Sequence, residues 1–131
     1  LDFSNDKEPF LTHNHMYTAD LSDGCATVVL PMCEDSLNRW GGAHGGILFS
    51  LCDVAIGMAI MTPRQEMVVT VNASIDYLSA AAAGSTLTAV GKVDRMGGKM
   101  VFCSGEVTDE TGKAIVQARC VMSFTGRPLP L

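Results

Sequence analysis

The chain has 131 residues, a formal net charge of −5 and an apolar fraction of 47%. This length suffices for one hydrophobic core, so we expect a single domain over residues 1–131 with its core at about 16–126. Non-specific binding to nucleic acid needs a cluster of Lys or Arg. Because the sequence has no such cluster, we expect no nucleic-acid partner.

The five cysteines are scattered and odd in number, with no C-x-x-C pair and no spacing typical of a zinc site. We therefore expect no bound metal, and a reducing cytoplasm as the location. Three of them, Cys52, Cys103 and Cys120, fall on the apolar phase of predicted elements and are interpreted as small core residues.

The first predicted structure is a β-hairpin. Apolar runs at residues 16–19 and 25–30 flank Asp23-Gly24, and Asp-Gly between two apolar runs is typical of a hairpin turn. Pro31 ends the hairpin.

A helix is predicted next, from about residue 43 to 61, with Pro63 as its stop. It is apolar on nearly every face, so we expect it to be buried on all sides. Asp53 is the only formal charge between Arg39 and Arg64. An aspartate near the middle of a short, glycine-rich stretch argues against a membrane span.

Four segments with period-two alternation follow the helix and are predicted to be strands. An antiparallel meander of these strands, curled around the helix, is the simplest way to bury it and predicts an α+β fold. The outer sheet face and an edge strand would remain exposed, so we expect self-association. The predicted strands are residues 67–78, 86–96, 100–108 and 114–124. In the first of them the apolar phase consists of Val69, Val71, Ala73, Ile75 and Tyr77.

The carboxylate of Asp53 is the first candidate for catalysis. A carboxylate among Leu, Ile, Met and Val loses hydration, so it must be paired, neutralised or used. A structural ion pair or a helix-packing hydrogen bond is the alternative interpretation. Cys52 is interpreted as core, because neighbouring residues on a helix do not face each other.

The predicted helix begins with His44-Gly45-Gly46. Glycines at a helix N-terminus let a ligand approach free backbone N–H groups, which suits a developing oxyanion, although they could also serve close packing alone. Asp53 follows Gly45 by eight residues, about 12 Å along the axis, which is too far for both to act on one carbonyl. Two chains with antiparallel helices would bring Asp53 of one to Gly45 of the other, so this chemistry requires a dimer.

The sequence resembles the hotdog-fold acyl-CoA thioesterases in Asn38, in G-A-H-G-G at residues 42–46, in S-L-C-D-V-A at 50–55, and in V-T-V and D-Y-L at 69–71 and 76–78. It is most similar to the branch named for a phenylacetate-degradation thioesterase, which includes the human thioesterase-superfamily member 2 type. The resemblance covers residues 21–124. It implies a hotdog fold, in which an antiparallel sheet wraps around one long central helix.

The resemblance also implies roles in acyl-CoA hydrolysis without a metal or bound cofactor, coenzyme A being part of the substrate. Gly45 N–H, helped by Asn38, would hold the thioester carbonyl, and Asp53 of the partner chain would act as general base or nucleophile. Thr70 would orient the water, and His44 would position the helix start or lie near the leaving sulfur. A turn-capping Asn38, a structural His44 and an ordinary strand threonine remain the alternatives.

By the same resemblance the pantetheine arm lies along the subunit interface of a homodimer, and a tetramer of two dimers is expected. The nucleotide would lie at the surface, near the predicted turn at Gly97-Gly98. Three cations, Lys99, Arg95 and Arg64, are candidate phosphate contacts there and are otherwise solvated surface residues. The eight methionines are interpreted as packing, and some could line an acyl pocket. The candidate substrate-binding residues are Gly46, Gly97, Gly98, Lys99, Arg95 and Arg64.

Two other functions remain open. One is a non-catalytic acyl-CoA-binding protein of the same fold, which usually carries an attached effector domain that we do not expect here. The other is a hotdog hydratase or dehydratase, which commonly has prolines around its histidine, unlike His44-Gly45-Gly46. The sequence does not identify the acyl group.

Overall fold

The fold, described for residues 8–129 in a computed structural model, is a six-stranded antiparallel sheet around one long helix. The strands are ordered β1-β2-β4-β5-β6-β3 across the sheet. The predicted α+β architecture, with the sheet wrapped around a central helix, is confirmed. In chain order the elements are α1 (Pro9–His13), β1 (Tyr17–Ser22), β2 (Cys25–Pro31), a 3₁₀ turn (Glu34–Ser36), α2 (Gly45–Met61), β3 (Glu66–Tyr77), β4 (Thr86–Met96), β5 (Met100–Thr108) and β6 (Ala114–Pro128).

β1 and β2 form the predicted hairpin around Asp23-Gly24. Gly24 has a φ of +74°, a left-handed conformation that glycine adopts without steric cost. β1 extends to Ser22, three residues further than predicted, because Leu21 and Ser22 pair with β2 instead of belonging to the turn.

α2 begins at Gly45, two residues later than predicted, because His44 has extended backbone torsions and is the N-cap. The Gly46 N–H donates a 2.9 Å hydrogen bond to Nδ1 of His44, which satisfies one of the donors left free at a helix start. The helix ends at Met61, just before Pro63, as predicted. Among residues 8–129, no helix has the length and apolarity needed to cross a membrane.

α2 packs directly on the inner face of the sheet at two glycines. A Cβ at Gly91 of β4 would collide with the backbone of Ala55 and Ile56, and a Cβ at Gly105 of β5 would lie 2.6 Å from Sγ of Cys52. The close approach of helix and sheet therefore requires glycine at these two positions.

The predicted burial of α2 is confirmed on most of its faces, but one stripe along the helix is only half-buried. The spacing of this stripe, three or four residues, places its members on one face of the helix. The half-buried positions include Ser50, Asp53, Val54, Gly57 and Met61.

The predicted meander is wrong for its first strand. β4, β5 and β6 are neighbours joined by short turns, whereas β3 pairs with β6 and forms an edge of the sheet. The connection from β3 to β4 spans residues 78–85, longer than the loops of about two to five residues that join hairpin strands. It packs against the segment before α2, where the Ala43 N–H donates to the carbonyl of Ala81.

β3 carries a β-bulge next to Thr70. Thr70 lies opposite Met122 of β6 and Asn72 lies opposite Val121, so Val71 is an extra residue on β3. Such a bulge changes the direction in which the side chains of a strand point and is common near functional sites.

The bulge reverses which β3 side chains face the helix. Ala73 and Ile75 pack on the core after the bulge, and Val68 packs on it before the bulge. The sequence alternation predicted that Val69 and Val71 share the face of Ala73 and Ile75. They are instead 52% and 54% exposed, and Thr70 takes the inward direction.

Candidate active site

Thr70 and Asp53 form a hydrogen-bonded pair between β3 and α2. The Thr70 hydroxyl donates to Oδ1 of Asp53 over 2.9 Å. Asp53 is half-buried, and none of the ion pairs within residues 8–129 involves it. The alternative of a structural ion pair therefore has no support in the described part of the chain.

Asp53 lies on a cavity of about 290 Å³, which we call the carboxylate cavity. Thr70 and Glu8 also line it, and the rest of its wall is apolar. Burial, and to a smaller extent the charge of Asp53, raises the pKa of Glu8 above its ordinary value. The carboxyl group of Glu8 is therefore close enough to Asp53 to feel its charge. Glu8 was not identified in the sequence, because a single acid ahead of Pro9 has no distinguishing pattern.

Gly45 lies on a second cavity of about 350 Å³, which we call the donor cavity. Asn38, Leu48 and Tyr77 also line it. Within residues 8–129 nothing accepts a hydrogen bond from the Gly45 N–H. This donor at the first turn of α2 is therefore available to a ligand, and the helix dipole favours negative charge there.

Asn38 shapes the loop that leads to α2. Its Oδ1 accepts hydrogen bonds from the N–H groups of Trp40 and Gly42, at 2.9 and 3.2 Å. Its Nδ2 donates to the carbonyl of Ala43 over 3.3 Å. Asn38 thus caps the turn and also lines the donor cavity, so both interpretations made from the sequence fit this position.

His44, Gly46 and Tyr77 fix the start of α2. The Gly46 N–H is already bound to Nδ1 of His44, so it is not a free donor. The Tyr77 hydroxyl donates to the carbonyl of Gly45 over 2.9 Å, a contact that the sequence did not suggest because Tyr77 was assigned to an apolar phase. The side-chain arrangement fits a positioning role for His44.

The two cavities share no lining residue. Asp53 follows Gly45 by eight residues, which is about 12 Å along a straight helix. The structure thus brings Asp53 to Thr70, and Asn38 to Gly45, but it keeps the acid and the free N–H of one chain apart.

The chain is similar in sequence and in fold to known proteins. Residues 41–116 match the sequence profile of the thioesterase superfamily. The chain belongs to the thioesterase superfamily. In sequence it is 30% identical to acyl-coenzyme A thioesterase PaaI of Escherichia coli K12 over 99 residues, 76% of this chain and 70% of that protein. It is 34% identical to mouse acyl-coenzyme A thioesterase 13 over 88 residues, 66% of this chain and 63% of that protein.

Solved structures of the superfamily have the same fold. The structure of E. coli PaaI superposes with a TM-score of 0.89 at 25% identity and covers 94% of this chain and 88% of that chain. A hypothetical thioesterase protein of Streptococcus pneumoniae TIGR4, solved with coenzyme A, superposes with a TM-score of 0.82 at 30% identity and covers 87% of this chain and 91% of that chain. The predicted hotdog fold is confirmed.

The matched part of the chain does not span whole relatives. It covers 63% of the mouse enzyme, and 61% and 64% of putative esterases of Pseudomonas aeruginosa and Archaeoglobus fulgidus.

The predicted nucleotide contacts lie around the β4–β5 turn. Two of the predicted contacts, Arg64 and Gly98, touch each other, because Nη1 of Arg64 donates a 2.8 Å hydrogen bond to the carbonyl of Gly98. Arg64 also pairs with Glu66 and stacks on Phe124, so its charge is already matched within the chain. The remaining candidates, Gly97, Lys99 and Arg95, lie in or beside the same turn, and Arg95 and Lys99 are exposed.

Cys52, Cys103 and Cys120 lie in the core, as the sequence predicted. Burial is the main cause that raises the pKa of Cys52 and Cys103 to about 12 and of Cys120 to about 11. They are therefore thiols rather than thiolates at neutral pH, and a nucleophilic role for Cys52 is not supported.

One group of possible metal ligands exists within residues 8–129, formed by His15, Cys33 and Asp35. Their ligand atoms lie within 4.8 Å of one another. None of these residues lines the carboxylate cavity or the donor cavity. The prediction that catalysis needs no metal stays a prediction.

Proposed function

We propose that the protein hydrolyses an acyl-CoA thioester to a free carboxylic acid and coenzyme A. Membership of the thioesterase superfamily supports this reaction, as do the relatives named acyl-coenzyme A thioesterase in E. coli and mouse. A coenzyme A complex of the S. pneumoniae thioesterase supports a CoA ester as the ligand.

The observation that carries the proposal is the separation of the two half-sites within one chain. The free Gly45 N–H and the Asp53–Thr70 pair lie on different cavities. A homodimer with antiparallel α2 helices completes two equal sites, each with Gly45 of one subunit and Asp53 of the partner subunit.

In this site the thioester carbonyl oxygen accepts a hydrogen bond from Gly45 N–H. Asp53 of the partner subunit takes a proton from water, whose oxygen attacks the carbonyl carbon. The negative charge that develops on the carbonyl oxygen is held by the N–H at the positive end of the α2 dipole. The C–S bond then breaks, coenzyme A leaves as the thiolate and takes up a proton, and the acid is released.

Direct attack by Asp53 is the alternative route. Direct attack releases coenzyme A and leaves a mixed anhydride of the acyl group with Asp53, which hydroxylamine traps, whereas a general base forms no such intermediate. If water opens the anhydride at the carboxyl carbon of Asp53, the first product of a single turnover in H₂¹⁸O carries a protein oxygen instead of ¹⁸O. A general base gives a product that carries one ¹⁸O from the first turnover onward.

The exposed edge of β3 supports the dimer. Val69, Val71, Tyr77 and Leu78 are each about half exposed along this strand and its end. An edge strand with apolar side chains is a surface that proteins normally cover. We propose that two β3 edges meet in the dimer, and that two dimers form a tetramer.

The β4–β5 turn is proposed to contact the CoA phosphates at the surface. Lys99 and Arg95 are exposed cations there, and a Cβ at Gly98 would meet no atom within 4 Å among the described residues. Arg64 is the weakest of the cations for this role, because it already pairs with Glu66. The five free cysteines favour a reducing compartment, and we propose the cytoplasm.

The test is turnover of an acyl-CoA panel followed with a free-thiol reagent. The wild-type protein should release coenzyme A, and Asp53→Asn and Asp53→Ala should lose about 10²–10⁴-fold in kcat while remaining folded and dimeric. Near-wild-type kcat in either variant contradicts the mechanism. Binding of CoA esters without release identifies a non-catalytic binding protein instead.

A further inference from the structure

The carboxylate cavity extends from Asp53 along α2 and is mostly apolar. Four of its lining residues are methionines. Its apolar wall consists of Val54, Gly57, Met58, Met61, Met67, Val68, Met122 and Leu129. Building on the proposed thioester hydrolysis, we propose that this cavity binds the acyl group as a straight, uncharged alkyl chain of roughly eight to ten carbons.

Gly57 makes the room for the chain. It lies four residues after Asp53, so the two share one face of α2. Among residues 8–129, a Cβ built on Gly57 meets no atom within 4 Å, so none of these residues fills the space beside this glycine. Glycine within a helix costs up to about 1 kcal/mol relative to alanine. Within the described part of one subunit, no close approach of the backbone explains this cost, whereas a ligand that crosses α2 at this point does.

The length of the acyl chain follows from the helix that lines the cavity. Asp53 and Met61 are eight residues apart, about 12 Å along α2. An extended alkyl chain advances about 1.3 Å per carbon for C–C bonds of about 1.5 Å, so this distance holds roughly nine carbons.

The lining chemistry favours an alkyl chain over other acyl groups. Methionine side chains are flexible and polarisable and adapt to a chain of variable conformation. Among the described lining residues none is aromatic or cationic, and the polar ones are Asp53, Thr70 and Glu8. A terminal carboxylate on the acyl group would find two carboxylates and no cation. It is therefore disfavoured, as is a ring hydroxyl left without a partner deep in the apolar part.

Wild-type kinetics with acetyl-, butanoyl-, octanoyl-, decanoyl-, glutaryl- and phenylacetyl-CoA tests the proposal. We expect kcat/KM to rise about fourfold per methylene, hence about 10²-fold from butanoyl to octanoyl, and to fall for glutaryl. Hydrolysis with no dependence on chain length leaves the proposed function standing and overturns the acyl assignment. Absence of hydrolysis for every ester overturns the proposed function and this inference with it.

Variants that narrow and widen the cavity give opposite expectations. Gly57→Leu should lower the octanoyl-to-butanoyl ratio of kcat/KM at least tenfold, and Gly57→Ala should lower it less, since it adds one carbon. Met61→Ala should move the optimum to longer chains. Thermal unfolding and size-exclusion chromatography check the fold and the dimer. Ratios that stay at the wild-type value in the folded variants overturn the assignment, as does an equal loss for both substrates.

Glu8 is tested as the residue that disfavours acidic acyl chains. Glu8→Gln should raise the kcat/KM of glutaryl-CoA relative to that of octanoyl-CoA. Glu34→Gln removes an exposed acid from the 3₁₀ turn, outside the cavity, and is the matched control. If the glutaryl-to-octanoyl ratio of kcat/KM is the same in Glu8→Gln as in Glu34→Gln, Glu8 does not disfavour acidic acyl chains.

Discussion

The Thr70 hydroxyl donates a 2.9 Å hydrogen bond to Asp53 because a bulge at Val71 turns Thr70 toward α2. This contact holds one carboxylate oxygen in place and leaves the other for water.

Loss of the Thr70 hydroxyl should therefore weaken catalysis without unfolding the protein. Thr70→Val keeps the shape and should lower kcat about 10–10²-fold, since hydrogen bonds to charged groups contribute about 1.5–3 kcal/mol. Thr70→Ser keeps the donor and should restore much of the rate. Steady-state kinetics of the two variants makes the comparison, and equal kcat values in both would speak against a role for the hydroxyl.

His44 should matter more for stability than for chemistry. His44→Ala removes the acceptor for the Gly46 N–H and should lower the free energy of unfolding by about 1 kcal/mol. His44→Asn supplies another capping acceptor and should recover most of this loss. Urea unfolding measures both. If His44→Asn regains stability but kcat remains far below wild type, the histidine has a chemical role that we do not assign to it.

Glu66 should make stability depend on pH in the acid range. Hydrogen bonds from the Gly126 N–H and from Arg64, together with the Arg64 charge, hold the pKa of Glu66 below 4.5. A carboxyl whose pKa is lowered on folding stabilises the protein above its unfolded pKa, and this stabilisation is lost as pH falls through its folded pKa.

Glu66→Gln should thus lower the melting temperature at pH 7, with a difference from wild type that shrinks below about pH 4. Glu110→Gln, at an exposed turn, is the control and should change little. Melting curves from pH 3 to 7 test this, and a difference that is constant over that range contradicts the assignment.

Local chemistry made most of the fold predictable. Asp23-Gly24, Pro63 and Gly97-Gly98 mark turns and ends that the structure has where they were predicted. The position of β3 at the sheet edge could not be predicted, because strand order depends on pairing between residues far apart in the sequence. A period-two pattern predicts that a segment forms a strand, but it does not predict which other strand pairs with it.

The sequence indicated most residues of the candidate site but not how they are arranged. The isolated charge of Asp53 and the glycines at the helix start were visible in the sequence. The bulge at Val71 was not, because it appears only as an interruption of pairing with β6. The same holds for Glu8, which reaches the carboxylate cavity only through the packing of the chain.

The central claim is that each site takes its N–H donor from one subunit and its acid from the other. Gly45→Pro removes the donor at a helix position that tolerates proline, and His44 already has the extended backbone that must precede a proline. Gly45→Ala is its control, because it keeps the N–H and its Cβ would make only ordinary contacts with Tyr77. Gly45→Pro should lower kcat by about 10²–10³-fold.

The most direct measurement is the activity of a heterodimer of Gly45→Pro and Asp53→Ala subunits, isolated with two different affinity tags. One of its two sites combines the intact Gly45 with the intact Asp53, so we expect about half of the wild-type kcat per dimer, although each variant homodimer is nearly inactive. A heterodimer as inactive as the two homodimers would contradict a site shared between subunits.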